Sequence, residues 1–144
     1  GSRVGLHMLD QYLRVRRTRG RTALVYGAGR GGALAVRELL QNSALDLSPI
    51  GFIDDDPAKR RLKIDGLAVL GSLDQLPLLL DRRPGEISAV VVAIDDLPPT
   101  RFDRLCLVCA ARDVSVRRLR FSMEEVRRRT GTDQVVAFPR QTGR

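Results

Sequence analysis

Hydrophobic positions along the chain form two kinds of segment: short unbroken apolar runs, and longer stretches whose apolar residues are three or four apart. The runs predict strands and the spaced stretches predict helices. The predicted strands are residues 22–26, 49–53, 66–71, 87–94 and 114–119. The predicted helices are residues 3–17, a segment from the glycine-rich turn to about 41, 72–83, 100–111, and a short helix beginning at 122.

This alternation of strands and helices predicts an α/β fold. We expect a Rossmann-like, open, mainly parallel and doubly wound sheet of about five strands, in three α/β/α layers. The run at 87–94 is β-branched in its second half and predicts a central strand buried on both faces. Residues 21–129 are the predicted domain, preceded by a basic amphipathic linker helix over 1–20 and followed by a flexible tail over 130–144.

Some boundaries follow from individual residues. Pro49 should limit the second strand to a short run, and 60–65 should be a loop or a short helix. Ser72 and Gln75 have the spacing of a capping box at a helix start. Thr100 and Ser122 are the predicted caps of the next two helices.

The candidate chemistry lies in the turn after the first strand, where Gly27, Gly29 and Gly32 have the spacing G-x-G-x-x-G. Gly27 permits a tight turn, Gly29 leaves the backbone open to a pyrophosphate, and Gly32 allows close helix packing. The first amides of the helix would face the phosphates. Ala28, Arg30 and Gly31 complete this predicted phosphate loop.

An acidic cluster follows the second strand. Asp54 lies 22 residues after Gly32, close to the roughly 20 expected for the acid that binds a ribose hydroxyl. A carboxylate there favours NAD over NADP, although the basic residues at 59–61 could neutralise a phosphate. They could equally bind the 3′-phosphate of coenzyme A or the diphosphate of a UDP-sugar. The candidate cofactor-binding residues are Gly27, Ala28, Gly29, Arg30, Gly31, Gly32, Asp54, Asp55, Arg60 and Ile94.

The glycine loop, the acidic cluster and the loop that begins at Ile94 follow three predicted parallel strands. Carboxyl ends of parallel strands share one edge of a sheet. We therefore expect the three segments to meet in one crevice. A strand–helix–strand unit with a tight turn and no ligand is the structural alternative.

Composition and charge add to this interpretation. The chain has 144 residues, 43% hydrophobic and 29% charged, which fits one globular domain. The net charge of +8 comes from the ends, because residues 1–21 carry six Arg and one Asp, whereas 22–116 are slightly acidic. Basic ends are consistent with solvated helix faces or with membrane proximity, and less so with nucleic acid. Gly1-Ser2 and the lack of an initiator Met suggest a piece of a longer protein.

No catalytic or metal-binding residue is predicted. Tyr12 and Tyr26 are the only tyrosines, and neither has the lysine four positions on that a Tyr-x-x-x-Lys catalytic pair requires. Cys106 and Cys109 lie in an apolar helical run, which favours two reduced core thiols over a zinc site. His7, the single histidine, lies far from the candidate loops in sequence.

Three segments resemble a known family: residues 24–29, the Gly-Phe-Ile-Asp-Asp-Asp-Pro stretch at 51–57, and 66–72. They are similar to the N-terminal, CoA-binding-like nucleotide-binding domain of bacterial polysaccharide-biosynthesis proteins. These are membrane-bound nucleotide-sugar epimerase/dehydratases and polyprenyl-phosphate sugar-phosphate transferases. The resemblance implies a domain that follows a membrane region, on the cytoplasmic side of the cell membrane.

The expected function is binding of an NAD-type dinucleotide, in a binding or regulatory role within a larger membrane-associated enzyme. Alternatives are part of an NAD-dependent epimerase/dehydratase with catalysis in another domain, and a coenzyme A-binding module. The expected partner is a small-molecule nucleotide, with a possible homodimer and no nucleic acid. A redox-sensing repressor of similar fold would need a winged helix upstream, for which residues 1–20 are too short.

Overall fold

The computed structural model describes residues 21–128, so the predicted helix over 3–17 and the predicted tail lie outside the described residues. The strands are β1 (Arg21–Tyr26), β2 (Leu47–Ile53), β3 (Lys63–Ile64), β4 (Leu67–Gly71), β5 (Ala89–Val92) and β6 (Ser115–Arg118). The helices are α1 (Arg30–Gln41), α2 (Leu76–Arg82) and α3 (Pro99–Ala110), with 3-10 turns at Ser43–Leu45, Pro57–Lys59 and Leu73–Gln75.

The strands form one sheet in the order β3-β4-β2-β1-β5-β6. All neighbours are parallel except β3 and β4, which are antiparallel. The chain moves outward from β1 to β2 and β4, then returns to place β5 on the other side of β1. This reversal creates a crevice at the carboxyl ends of β1, β2 and β5, where α/β sheets bind ligands.

Alternating side chains of β1 divide the core between the two faces of the sheet. Ala23 and Val25 pack with the buried face of α1, whereas Leu24 and Tyr26 pack with α2 and α3. The helix α1 forms because its buried residues are three or four apart; these are Gly32, Ala35, Val36 and Leu39. Helices on both faces confirm the predicted doubly wound, three-layer, mainly parallel fold.

The second strand is longer than predicted, because Pro49 lies inside β2 rather than at its start. Ala23 pairs with Pro49 and Leu24 pairs with Gly51, so Ile50 is an extra residue in the register. A bulge of this kind accommodates a residue that has no N–H to donate to the ladder.

The expectation of a loop or short helix over 60–65 is wrong at Lys63 and Ile64, which form a strand, so the sheet has six strands rather than about five. Lys63–Ile64 pairs antiparallel with β4. Asp65 and Gly66 both have positive φ, at 51° and 83°. Two residues of positive φ are typical of the tight turn of a two-residue hairpin.

Of the three predicted helix caps, one is confirmed and two are wrong. The capping box of Ser72 and Gln75 is confirmed, with the Ser72 amide donating to Gln75 Oε1 at 2.9 Å, but it begins a 3-10 turn that leads into α2. Thr100 is not a cap: Pro98 is the N-cap of α3, which has proline at its first position. The helix predicted from Ser122 is absent, since residues 119–128 adopt no helix or strand.

The two cysteines are free thiols in different surroundings. Cys109 is fully buried and Cys106 is half-buried, so the prediction of two core cysteines holds for one of them. Burial raises the pKa of the Cys109 thiol to about 11. Within residues 21–128, no helix combines the length and apolar character needed to span a membrane.

Candidate functional site

The turn after β1 is built around two glycines in close contact. Gly27 has φ +114°, and a Cβ there would lie 2.6 Å from Ile94 Cγ1. A Cβ on Gly32 would lie only 1.7 Å from the Gly27 carbonyl oxygen and 3.1 Å from Phe52 Cε1. The turn therefore requires glycine at Gly27 for its positive φ and at Gly32 for close packing, as the spacing predicts.

Gly29 is different, because it is exposed and the space beside it is open. Gly29 is the N-cap of α1. Among residues 21–128, and apart from its two chain neighbours, the only heavy atom within 4 Å of its Cβ position is Lys59 Nζ, at 3.6 Å. In the first backbone hydrogen bond of α1, the Ala33 amide donates to the Gly29 oxygen at 3.0 Å. The amides of residues 30–32 precede that bond, in the position where a helix N-terminus binds anions.

The carboxylate of Asp54 ties the end of β2 to the glycine turn. Its Oδ2 accepts from the Ala28 amide and its Oδ1 from the Asp56 amide, both at 2.8 Å. Lys59 Nζ lies 3.7 Å from Oδ2, and the Asp54 side chain is only 13% exposed. Asp54 is thus at the crevice, as predicted, and it also positions the loop.

Asp55 points to the other face of the sheet, because successive side chains of extended backbone alternate. Its Oδ1 accepts from the Leu73 amide at 2.9 Å, and its Oδ2 accepts from the Tyr26 hydroxyl. Arg101, in the first turn of α3, pairs with Oδ2 at 3.3 Å. Burial, and then the hydrogen bond to Asp55, raise the pKa of the fully buried Tyr26 above its ordinary value.

The chain leaving β5 completes the crevice. The Ala93 amide donates to the Tyr26 oxygen at 2.9 Å. A Cβ on Gly31 would lie 2.4 Å from the Ala93 oxygen, and Ile94 lies against Gly27. The three predicted loops do meet at one edge of the sheet, and Gly31 has a packing requirement of its own.

The basic residues near the glycine loop differ in position. Arg30 and Arg60 are both exposed, and Lys59 is the cation that lies beside the glycine loop. Ligand contacts of the ten candidate residues stay a prediction. Within 21–128, no three or more His, Cys, Asp or Glu residues are grouped as metal ligands.

Tyr26 and Arg101 are the partners of the candidate residue Asp55, and the sequence analysis did not predict either contact. Tyr26 reads as an apolar strand residue, and Arg101 reads as one of many arginines in a helix. The one available signal for Tyr26 is its position as the last residue of the strand, directly before the fingerprint.

Together these features define a Rossmann-type nucleotide-binding domain. The sequence profile of the CoA-binding domain family matches residues 1–105, and the chain belongs to that family. It is related to polysaccharide biosynthesis proteins, as the sequence resemblance implies.

Two such relatives are much longer than this chain. The probable polysaccharide biosynthesis protein EpsC of Bacillus subtilis is 33% identical over 117 residues, which are 81% of this chain and 19% of EpsC. The capsular polysaccharide biosynthesis protein CapD of Staphylococcus aureus is 27% identical over 110 residues, which are 76% of this chain and 18% of CapD. The chain thus spans about a fifth of each relative's length.

Solved structures give the same fold. UDP-D-quinovosamine 4-dehydrogenase from Vibrio fischeri superposes with a TM-score of 0.57 at 27% identity, covering 67% of this chain and 75% of that chain. The Rex-family repressor RSP, solved with β-NADH, superposes with a TM-score of 0.52 at 18% identity, covering 70% of this chain and 54% of that chain. At that identity the second likeness shows the fold alone.

Proposed function

We propose that this domain binds an NAD-type dinucleotide, with the diphosphate at the N-terminus of α1. It acts as a binding or regulatory module of a larger protein of bacterial polysaccharide or nucleotide-sugar biosynthesis. A free helix N-terminus beside a crevice favours negatively charged groups through its amides and its dipole.

One observation carries this proposal: Gly29 is the glycine of the loop that packing does not explain. A side chain on Gly27, Gly31 or Gly32 would meet protein atoms at 2.6 Å or less. A side chain on Gly29 would enter open space beside the amides of residues 30–32 and Lys59. A ligand that approaches the backbone closely would explain why this position is a glycine.

The choice of dinucleotide rests on Asp54. A carboxylate at the end of the second strand accepts hydrogen bonds from ribose hydroxyls and repels a 2′-phosphate, which favours NAD over NADP. Each Asp54 oxygen accepts one amide, and a carboxylate oxygen has room for a second donor. The repressor RSP, which shares the fold, was solved with β-NADH and is an example of this fold with an NAD-type ligand.

Coenzyme A is the second candidate ligand. It also carries a diphosphate, and its 3′-phosphate could reach the basic residues at 59–61. The CoA-binding description of the family favours it. UDP-sugars are the third candidate, since they too place a diphosphate on the same amides.

The larger protein is proposed to hold the catalytic machinery, in the manner of a nucleotide-sugar epimerase/dehydratase or a sugar-phosphate transferase. Both biosynthetic relatives are about five times as long as the matched segment. We place the domain at the cytoplasmic face of the membrane, with 21–129 as the binding unit and a possible homodimer as its assembly. A nucleotide is the proposed partner, and nucleic acid is not.

Calorimetric titration tests the proposal. NAD⁺, NADH, NADP⁺, coenzyme A and UDP-N-acetylglucosamine are titrated into the wild-type protein, Gly29→Ser and Asp54→Ala. We expect NAD⁺ or NADH to bind most tightly, Gly29→Ser to abolish binding by filling the approach, and Asp54→Ala to weaken NAD more than NADP. Tight coenzyme A binding with weak NAD binding would favour the second candidate. If no ligand binds, the proposed function is wrong.

A further inference from the structure

Lys59 occupies a defined position over the glycine loop. Its Nζ lies 3.7 Å from Asp54 Oδ2 and 3.6 Å from the Cβ position of Gly29. The Lys59 side chain as a whole is 33% exposed, so most of it is withdrawn from solvent. One cation therefore contacts both the carboxylate that holds the loop and the opening where a ligand would enter.

The backbone that carries Lys59 is fixed. The 3-10 turn Pro57–Lys59 begins with an Asp56 cap, whose Oδ1 accepts from the Ala58 amide at 3.0 Å. The Lys59 amide donates to the Asp56 oxygen, also at 3.0 Å. The turn thus follows β2 with a set direction and returns the lysine side chain toward β1.

The ion pair with Asp54 does not satisfy the ammonium group. Direct charge-assisted N–H···O bonds are about 2.7–2.9 Å long, and the Lys59–Asp54 separation is 3.7 Å. The Ala28 and Asp56 amides lie closer to the Asp54 oxygens, at 2.8 Å, than Lys59 Nζ does. Lys59 therefore has donor capacity for a second anion at the mouth of the glycine loop.

We propose that Lys59 is the residue that selects for a diphosphate, and that Asp54 positions it against the glycine loop. This inference rests on the proposed function, because it assigns a contact within the same site. A diphosphate here lies between the amides of residues 30–32 on one side and the Lys59 ammonium on the other. The neighbouring Arg60 is exposed and does not lie beside Gly29 in this arrangement.

The test measures whether the lysine interacts with phosphate or supports the fold. Affinities for NAD⁺, ADP and adenosine are measured by NMR titration with wild-type protein, Lys59→Met, Lys59→Arg and Lys63→Met. Lys63 is the other lysine of the chain and lies exposed on β3, which makes Lys63→Met the matched control. Adenosine reports the contacts that do not involve phosphate.

We expect Lys59→Met to weaken NAD⁺ and ADP binding about tenfold, as for loss of one charged hydrogen bond, while adenosine affinity changes less than about twofold. Lys59→Arg should restore part of the loss, because it keeps the charge, and Lys63→Met should change no affinity. Equal loss for ADP and adenosine, or no loss for either, would overturn the role of Lys59 and leave the proposed function intact. Wild-type protein that binds neither NAD⁺ nor ADP would overturn both.

Discussion

Replacing Gly32 with alanine should destabilise the fold sharply. The new methyl would lie 1.7 Å from the Gly27 oxygen and 2.8 Å from its carbonyl carbon, whereas ordinary contact begins at 3.4 Å. The turn cannot easily yield, because the Gly27 amide donates to the Ile53 oxygen at 2.8 Å and Gly27 packs on Ile94. Relieving the clash between the new methyl and the Gly27 oxygen requires a backbone shift of more than 1 Å.

The magnitude follows from two opposing effects. Overpacking against such backbone costs about 3 kcal/mol or more, and alanine recovers at most about 1 kcal/mol through its better helix propensity. We expect the free energy of unfolding to fall by about 2 kcal/mol or more. With a urea dependence of roughly 1–2 kcal/mol/M, the midpoint of a urea titration followed by circular dichroism should fall by about 1–2 M.

Gly29→Ser is the matched control. Serine is a favoured N-cap residue, and the space beside Gly29 is open, so its unfolding free energy should stay within about 0.5 kcal/mol of the wild-type value. A Gly32→Ala protein as stable as wild type would refute the packing role of Gly32. An equal loss in both variants would refute the distinction between a packing glycine and a ligand glycine.

Three further predictions concern the contact between Tyr26 and Asp55 and the two cysteine thiols. Tyr26→Phe should lower the free energy of unfolding by about 1 kcal/mol. The pKa of Tyr26 is raised in the folded state. The stability that the wild-type hydroxyl contributes is therefore fully present below its ordinary pKa of 10.0, and it is lost as the pH rises through the raised pKa. Urea titrations at pH 8 and pH 11 should therefore show a smaller difference between the two proteins at pH 11, and an unchanged difference would contradict this. Asp55→Ala should lower the free energy of unfolding by about 2–3 kcal/mol, more than Tyr26→Phe, because the buried hydroxyl and the Leu73 amide both lose their acceptor. If the same titration shows an equal or smaller decrease than for Tyr26→Phe, this prediction is wrong. Timed alkylation at pH 8 with mass spectrometry should modify half-buried Cys106 before Cys109, whose thiol pKa is about 11, and the reverse order would be contrary to the structure.

The body of the fold is predictable because its signals are local. Apolar runs, helical spacing and the G-x-G-x-x-G turn each follow from neighbouring residues, and their alternation defines the sheet. The β3–β4 hairpin also has a local signal in Asp65-Gly66, but its first strand is only two residues long and has no apolar pattern. The prediction of a helix beginning at Ser122 is wrong, although serine is a common cap. A short helix must pack its apolar side against a partner, and Met123 is almost fully exposed.

The site is predictable only in outline. Spacing identifies the glycine loop and Asp54, but it does not separate the glycines that packing requires from Gly29, which depends on distances across the turn. Lys59 and Arg60 are equivalent in sequence, and only the 3-10 turn decides that the lysine faces the loop. Arg101 meets Asp55 through the placement of α3 on the sheet, which is a tertiary contact without a local pattern.

A crystal structure of the domain grown with excess NAD⁺ would show whether the glycine loop holds a diphosphate. We expect density for a diphosphate within hydrogen-bond reach of the amides of residues 30–32 and of Lys59 Nζ, with the ribose beside Asp54. An empty glycine loop at saturating NAD⁺, or a loop filled by the Arg30 side chain, would contradict it.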